Sequence, residues 1–327
     1  MEAKSVVVCT WSEGQGELPV GAEEALTLGR KVAGALGSRL RLLVLGPLPE
    51  AGLETAGRFG ADDVDQIDDP ALEAFSPDVY VEALALYCEQ ESPSLVIFSQ
   101  SADTRVVAPR LAGRRGAGVV MNGVDIALGS DGQLEATASA YGGDTRVVYQ
   151  LSGAPSYVVA LAANALLPEP ADGGPTHPEC RSISTELSGV EERVRVVERA
   201  RTEGPRLEDA DIIVSGGRGL GGPENYKLIE QLAEALGGLA GASRPIVDEG
   251  WADSSRQVGL TGKITRPALY LAAGISGASQ HMAGCSAAKT IVAINRDEDA
   301  AIFRYARYGL VGDCLEILPE LIRAARS

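Results

Sequence analysis

The sequence has 327 residues, a formal net charge of −16 and 45% hydrophobic residues. This length suits two domains with a core in each, and the acidic balance excludes the basic surface on which nucleic-acid binding depends. No apolar stretch approaches the roughly 20 residues of a membrane span, so membrane insertion is not expected.

Cysteines and histidines are too few and too scattered to indicate a metal centre or a disulfide framework. The five cysteines include no C-x-x-C pair, and the chain has two histidines. Strand-like residues Ser5–Thr10 stand where a leader segment would be expected, which predicts a cytoplasmic protein.

Strand and helix patterns alternate through the first half of the chain. The predicted strands are Ser5–Thr10, Leu40–Leu45, Val64–Ile67 and Ser94–Phe98. The predicted helices are Ala22–Leu36, Glu50–Phe59, Pro77–Glu91 and Arg105–Arg114. This alternation is typical of a parallel sheet covered by helices. After the fourth strand, Ser99–Arg105 fits either an anion-binding loop or an ordinary helix cap.

Three more strand-like runs precede a change in composition. They are Val119–Ala127, Gln133–Ala138 and Ser156–Leu161, and the turn at Gly129–Gly132 predicts a hairpin of the first two. The Pro- and Gly-rich stretch Leu167–Pro175 predicts a domain linker, which we extend over about residues 167–190. The predicted domains are therefore residues 1–190 and 191–327. His177 and Cys180 are predicted to be surface residues of the linker region.

The second domain repeats the alternation. A strand is predicted at Val194–Ala200, before the domain proper. The further predicted strands are Asp211–Ser215, Leu269–Ala273 and Thr290–Asn295, and the predicted helices are Asn225–Leu236, Ala278–Ala283 and Leu318–Ala325. This order predicts a doubly wound parallel sheet, and such sheets bind ligands at the carboxyl ends of their strands.

The most informative segment follows the strand Leu269–Ala273. Two glycines in the turn Gly274–Gly277 can adopt positive φ without steric cost. Ser276 is a suitable N-cap for a helix starting at Ala278. A strand, a glycine turn and a helix N-terminus together can bind an anion, because free backbone N–H groups point out of the helix start. The side chains of Gln280–His281 lie in the first helical turn, within reach of a polar ligand.

Residues 269–284 resemble the FAD signature of the electron-transfer flavoprotein alpha subunit. Five further blocks are similar to other segments of that family, in the same order: Ser215–Leu220, Gly241–Asp248, Gln257–Lys263, Ala293–Asp297 and Gly309–Asp313. The resemblance implies an α/β protein of two doubly wound parallel-sheet domains, the C-terminal one Rossmann-like and FAD-binding. It also implies that the N-terminal domain packs on a beta subunit and holds no nucleotide of its own.

Cofactor contacts are carried over from the family position by position. The resemblance implies that FAD contacts Arg218, Ser243, Arg244, Gln257, Val258, Gly259, Leu260, Thr261, Ser276, Gly277, Ala278, Ser279, Gln280, His281, Asn295, Asp313 and Cys314. In the family, the counterpart of Arg244 lies against the flavin, and that of Thr261 offers a hydroxyl to flavin N5. His281 is placed at the positive end of the predicted helix, where an imidazole can donate to flavin O2. The chain has Leu260 where the family usually has glutamine, and Cys314 where it commonly has leucine.

Simpler interpretations exist for several of these residues. Arg218 could be an exposed arginine in an ordinary strand-to-helix turn. Arg244 could form a surface ion pair with Asp248, and Thr261 could be a plain turn residue. A lone histidine such as His281 is often structural.

The resemblance predicts an electron carrier rather than an enzyme. Its FAD would accept electrons from flavin-dependent dehydrogenases, such as acyl-CoA dehydrogenases, and pass them to an electron-transfer-flavoprotein:quinone oxidoreductase. A beta subunit would complete a heterodimer. Two alternatives remain open: a subunit of an NADH-oxidising, electron-bifurcating flavoprotein, and a non-redox nucleotide-binding module. No catalytic residue is implied, because the cofactor carries the redox chemistry.

Overall fold

A computed structural model of the chain describes residues 5–11, 18–19, 21–140, 145–163, 165–194 and 205–326. Contacts divide the chain into two compact units. The N-terminal unit contains the described residues up to 140 and from 146 to 194, and the C-terminal unit contains those from 205 onward together with Thr145. Among the described residues, no helix combines the length and apolar character needed to cross a bilayer.

A nine-stranded sheet forms the centre of the N-terminal unit. Its strands are β1 Val6–Trp11, β2 Leu40–Leu45, β3 Asp63–Ile67, β4 Leu95–Ser99, β5 Gly118–Leu128, β6 Leu134–Ala140, β7 Thr145–Leu151, β8 Tyr157–Leu161 and β9 Glu179–Ser182, in the spatial order β7-β6-β5-β8-β4-β1-β2-β3-β9. The helices are α1 Ala22–Leu36, α2 Gly52–Arg58, α3 Pro77–Glu91 and α4 Ala102–Arg115. The pairs from β5 through β8, β4, β1, β2 and β3 to β9 are parallel, whereas β5 and β6 form the predicted antiparallel hairpin.

Both faces of this sheet are buried at its central strands, such as β1 and β2. Along β1, the side chains of Val7 and Cys9 enter one apolar cluster, whereas Val6 and Val8 enter another. Successive strand residues point to opposite faces, so a strand that is apolar throughout must lie between two layers. The predicted parallel sheet with helices on both sides is confirmed. Ser101 and Thr104 form a capping box at the start of α4, which accounts for the polar loop before it.

The predicted linker contains a strand that the sequence did not indicate. Glu179–Ser182 pairs in parallel with β3 as the edge strand β9, so this part of residues 167–190 is not loose. Arg181 holds the strand in place, because its Nε and Nη2 lie 2.9 and 3.1 Å from the oxygens of the fully buried Asp65. His177 and Cys180 are exposed, as predicted.

A six-stranded parallel sheet forms the centre of the C-terminal unit. Its strands are β10 Ile212–Gly216, β11 Leu239–Ser243, β12 Gln257–Val258, β13 Leu269–Ala273, β14 Thr290–Asn295 and β15 Tyr308–Val311, in the order β12-β11-β10-β13-β14-β15. The helices are α5 Tyr226–Ala235, α6 Arg244–Asp248, α7 Ser279–Met282 and α8 Cys314–Ala325. The strand predicted at Val194–Ala200 falls on residues 195–200, outside the described residues.

Helices cover this second sheet as the doubly wound pattern requires. Ile229 and Leu232 of α5 pack with Leu318 of α8 on one face, whereas Tyr270 and Met282 belong to the cluster on the other. The sequence did not predict four of these elements: β11, β12, β15 and α6. It did predict the alternation of strands and helices that defines the α/β class.

Candidate functional site

The strand order reverses between β10 and β13. From β10 the chain moves to β11 on one side, and from β13 it moves to β14 on the other. Gly216 and Ala273, the last residues of these two strands, are register partners. Such a switch point leaves a crevice at the carboxyl ends of the strands, where doubly wound sheets bind their ligands.

A cavity of about 530 Å³ lies at this edge of the sheet. Its size is within the roughly 300–1,000 Å³ of small-molecule sites. The residues that line it are Arg218, Gly219, Ser243, Arg244, Pro245, Gln257, Val258, Gly259, Leu260, Thr261, Gly274, Ile275, Ser276, Ala278, Gln280, His281, Asn295, Asp297 and Ala300. Most of the predicted contacts are therefore brought together in one place.

Two glycine turns meet at the floor of the cavity. The N–H of Gly219 donates to the carbonyl of Gly274 at 3.0 Å. Gly274 has φ +67°, and a Cβ there would lie 2.7 Å from the Cα of Gly219. Larger residues would push the turns apart, so glycine at both positions allows the two strand ends to form one surface.

The helix after the β13 turn is shorter than predicted, and its cap is different. α7 comprises Ser279–Met282, and its N-cap is Ala278 without a side-chain cap bond. The predicted N-cap, Ser276, is wrong: its carbonyl accepts a hydrogen bond from the N–H of Ile302 at 3.0 Å, as part of the preceding turn. One helical turn carries little macrodipole, so side chains and turn N–H groups dominate the local electrostatics.

His281 is a buried polar residue in the lining of the cavity. The residue is only 8% exposed, and its Nε2 atom lies 3.0 Å from the hydroxyl oxygen of Tyr270. Burial lowers the pKa of His281 to about 4, although the backbone carbonyl of Val258 acts in the opposite direction. The imidazole is therefore neutral at pH 7. Its buried Nδ1 makes no hydrogen bond of acceptable geometry with the described residues.

Two arginines place positive charge at the rim. Arg218 is exposed and forms no ion pair with the described part of the chain. Arg244 follows Ser243, the N-cap of α6, and its Nε lies 3.2 Å from the carboxylate of Asp248, with both side chains more than half exposed. Arg244 thus lines the cavity and also forms the surface ion pair that was the simpler interpretation.

The loop after β12 closes one side. Gly259 has φ +145°, and the N–H of Leu260 donates to the carbonyl of Gln280 at 2.7 Å, joining the loop to α7. The Gln257 amide donates to the hydroxyl of Thr261 at 3.1 Å. The loop therefore presents Thr261 at the cavity with its hydroxyl already bonded within the turn.

Four predicted contacts do not line the cavity. Gly277 packs against Ile302, whose backbone nitrogen would lie 2.3 Å from an added Cβ. Ser279 lies in the short helix α7. Asp313 caps α8 by accepting from the N–H of Leu315, and Cys314 is buried with its Sγ 3.4 Å from the carbonyl of Gly219.

Known families match both units. A family model described as the electron transfer flavoprotein domain matches residues 7–179, and one described as the electron transfer flavoprotein FAD-binding domain matches residues 206–286. The chain is 35% identical over 318 residues to the electron transfer flavoprotein subunit alpha of Thermoanaerobacterium thermosaccharolyticum, covering 95% of each chain. The chain belongs to the electron transfer flavoprotein alpha-subunit family.

Other members of the family are similarly close. The electron transfer flavoprotein subunit alpha of Bacillus subtilis is 35% identical, with 94% of this chain and 93% of the relative covered. Protein FixB of Clostridium saccharobutylicum is 34% identical, with 96% and 94% covered. The predicted family is confirmed, and the cofactor of its C-terminal domain is FAD. An alpha subunit implies a beta subunit as its partner.

The cavity suits the FAD that this electron transfer flavoprotein domain binds. Apolar side chains in the lining, among them Val258, Pro245 and Ile275, can pack against a planar ring system. The unsatisfied Nδ1 of His281 is a polar atom that a ligand can complete. Arg218 supplies a charge that can face a diphosphate.

Six residues of the lining were not predicted as contacts. They are Gly219, Pro245, Gly274, Ile275, Asp297 and Ala300. All but Ala300 lie inside segments already recognised as family blocks, so extending each block across its whole turn would have found them. Ala300 lines the cavity from the segment after β14, and no motif in the sequence indicates it as a contact.

A second, more open concavity of about 780 Å³ lies in the N-terminal unit. Its arginines already pair with its acids: Arg110 and Arg193 with Asp78, and Arg114 with Glu82. Because its arginines already pair with its acids, it is a weaker candidate for a cofactor site than the cavity at the switch point.

Proposed function

We propose that this chain is the FAD-binding subunit of a heterodimeric electron carrier, with FAD held in the cavity of the C-terminal unit. The observation that carries the proposal is the convergence of the family's motif blocks on one cavity at the carboxyl ends of β10, β11, β13 and β14. Residues 1–190 would form the domain that packs on the beta subunit, and residues 191–327 the domain that holds FAD.

Each part of the cavity would hold a different part of FAD. Gln257–Thr261, His281 and Arg244 would contact the ring system, and Arg218, Ser276 and Gln280 the more polar remainder. Asn295 already donates through Nδ2 to the carbonyl of Ile275 and accepts from the N–H of Asp297, so it would shape the turn that faces FAD. Gly277, Ser279, Asp313 and Cys314 would support the site from behind its surface.

Bound FAD would supply the electron-transfer chemistry, and this chain's residues would tune it. Arg244 carries a permanent positive charge that stabilises negative charge on a neighbouring ring. His281 is neutral, so it would act through a hydrogen bond rather than a charge. Val258 and Ile275 exclude water from their side of the cavity, which strengthens both effects.

The proposed electron donors are flavin-dependent dehydrogenases, such as acyl-CoA dehydrogenases, and the proposed acceptor is a quinone oxidoreductase. A carrier of this kind needs no nucleophile or general acid of its own. If NADH alone bleached the flavin of the purified complex, an NADH-oxidising bifurcating role would replace this one. If the complex held no flavin, a non-redox nucleotide-binding module would replace it.

Blocking the cavity tests the proposal. Ala278 is exposed and lines the cavity, whereas Ala268 is exposed in the same unit and does not. In a complex co-expressed with the beta subunit, Ala278→Trp should lower the flavin absorbance per chain severalfold, and Ala268→Trp should leave it unchanged. Equal flavin content in both folded variants would contradict the proposed location.

A further inference from the structure

Beside the cavity lies a hydrogen-bonded pair of buried rings: His281 lines the cavity, and Tyr270 does not. Their Oη and Nε2 atoms are 3.0 Å apart, and Tyr270 is fully buried. Burial raises the pKa of Tyr270 well above its usual value, so the phenol keeps its proton. Burial also keeps the imidazole neutral, with a single proton on either Nδ1 or Nε2. Which nitrogen carries that proton depends on the direction of the Tyr270 hydrogen bond.

Three groups besides His281 act on the hydroxyl of Tyr270: Ser215 lowers the pKa of Tyr270, whereas Cys285 and Tyr226 raise it. The Ser215 hydroxyl itself has no hydrogen-bond partner of acceptable geometry among the described residues. The Cys285 thiol lies 3.7 Å from the His281 carbonyl and donates to it, and a thiol sulfur is in any case a weak acceptor. The imidazole Nε2 is therefore the best acceptor for the phenol proton.

A proton donated to Nε2 leaves the ring's own proton on Nδ1. Nδ1 is buried; the backbone carbonyl of Val258 raises the pKa of the ring, but no described atom forms a hydrogen bond of acceptable geometry with Nδ1. A buried donor without a partner is costly, and a ligand acceptor in the cavity would relieve that cost. His281 lines the cavity, so its ring is placed to serve such a ligand.

We propose that Tyr270 is a positioning residue: by donating to Nε2 it holds the proton of the neutral His281 ring on Nδ1, and thereby offers an N–H donor to the flavin. The inference rests on the proposed function, because it assigns a role toward FAD in the same cavity. Tyr270 acts only through His281, since it does not itself line the cavity.

The tautomer can be read directly. The chain has two histidines, and the exposed His177 provides a reference signal beside His281. With ¹⁵N-histidine incorporated into this chain of the complex, NMR at neutral pH should show His281 protonated on Nδ1 and unprotonated on Nε2. The opposite tautomer would overturn the proposal. This readout does not require FAD, so it separates a failure of the inference from a failure of the proposed function.

A matched pair of variants tests the effect on the cofactor. Tyr270→Phe removes the donor, whereas Tyr305→Phe removes the hydroxyl of an exposed tyrosine of the same unit that does not line the cavity. Tyr270→Phe should weaken the preference for reduced over oxidised FAD about tenfold, which corresponds to about 30 mV for a two-electron couple. Tyr305→Phe should leave the potential unchanged.

Equal potentials for the two variants, with FAD bound to both, would refute the role of Tyr270. Absence of FAD from the unmodified complex would instead refute the proposed function. Should Tyr270→Phe fail to fold, the tautomer of the unmodified chain still decides the inference.

Discussion

Replacing His281 by glutamine should remove a specific loss of stability in acid. The pKa of His281 is about 4 in the folded chain, against about 6.5 for an unfolded histidine. The folded state therefore holds fewer protons than the unfolded chain between these values. The stability that depends on the neutral ring is complete above pH 6.5, and it is lost progressively as the pH falls toward 4.

The size of this effect follows from the difference between the two pKa values. A gap of roughly 2.5 units at about 1.36 kcal/mol per unit makes the total about 3 kcal/mol, most of it lost between pH 6.5 and pH 4. His281→Gln cannot titrate, so its unfolding free energy should fall by about 3 kcal/mol less over that interval. Other titrating groups are common to both proteins and cancel in the comparison.

Tryptophan fluorescence can follow each unit separately. The chain has two tryptophans, Trp11 in the N-terminal core and Trp251 against the C-terminal core. In a Trp11→Phe background, urea unfolding of the FAD-free chain at pH 7 and pH 4 reports on the C-terminal unit. His177→Gln is the matched control, because it lies in the other unit. If the unfolding free energy changed equally between pH 7 and pH 4 in the parent protein and in His281→Gln, the conclusion that His281 is buried as a neutral imidazole would be refuted.

Two further predictions concern charged residues. Arg244→Ala should lower the first one-electron potential of bound FAD by about 20–40 mV, since an exposed charge contributes up to about 1 kcal/mol; Leu260→Gln adds no charge and should shift it less. An unchanged potentiometric titration with FAD retained would exclude this role of Arg244. Arg181→Ala should lower the unfolding free energy of the N-terminal unit, followed through Trp11, by about 2 kcal/mol, because it leaves the buried Asp65 carboxylate with weaker partners. Substitution of the exposed Arg323 by alanine is the control. An equally small change in unfolding free energy for both variants would contradict a stabilising role of the Arg181–Asp65 ion pair.

Elements with a strong local pattern could be predicted to the residue. The strand Leu40–Leu45 and the helices Ala22–Leu36 and Pro77–Glu91 have the bounds that the sequence indicated. Continuous apolar residues predict a strand covered on both faces, and helical periodicity predicts an amphipathic helix. Leu269–Ala273 and Thr290–Asn295 follow the same rule in the second unit.

Strands that depend on tertiary pairing could not be predicted. Leu239–Ser243 consists mostly of small residues with little strand preference, and pairing with β10 holds it extended. Its glycine suits the crowded sheet interior, because a Cβ on Gly241 would lie 3.0 Å from the Ser215 hydroxyl. Tyr308–Val311 is exposed along its whole length, so it lacks the apolar pattern of a buried strand.

The cavity was largely predictable because each motif block follows a strand end, and parallel strands bring their carboxyl ends to one edge. The pairing of Tyr270 with His281 was not predictable. In the sequence, Tyr270 has the pattern of an ordinary core residue of a strand. Its contact with His281 depends on the turn after β13, which places α7 next to Tyr270. Asp313 also follows a strand, but β15 is the edge of the sheet, and its carboxylate is used to cap α8.

The most direct test of the account is a structure of the complex of this chain and its beta subunit with FAD bound. We predict that the flavin ring lies among Arg244, Gln257–Thr261 and His281, with its polar remainder along the turns at Arg218 and Ser276. Density for this chain's flavin against residues of the N-terminal unit, with the cavity at the ends of β10 and β13 left empty, would contradict the central claim.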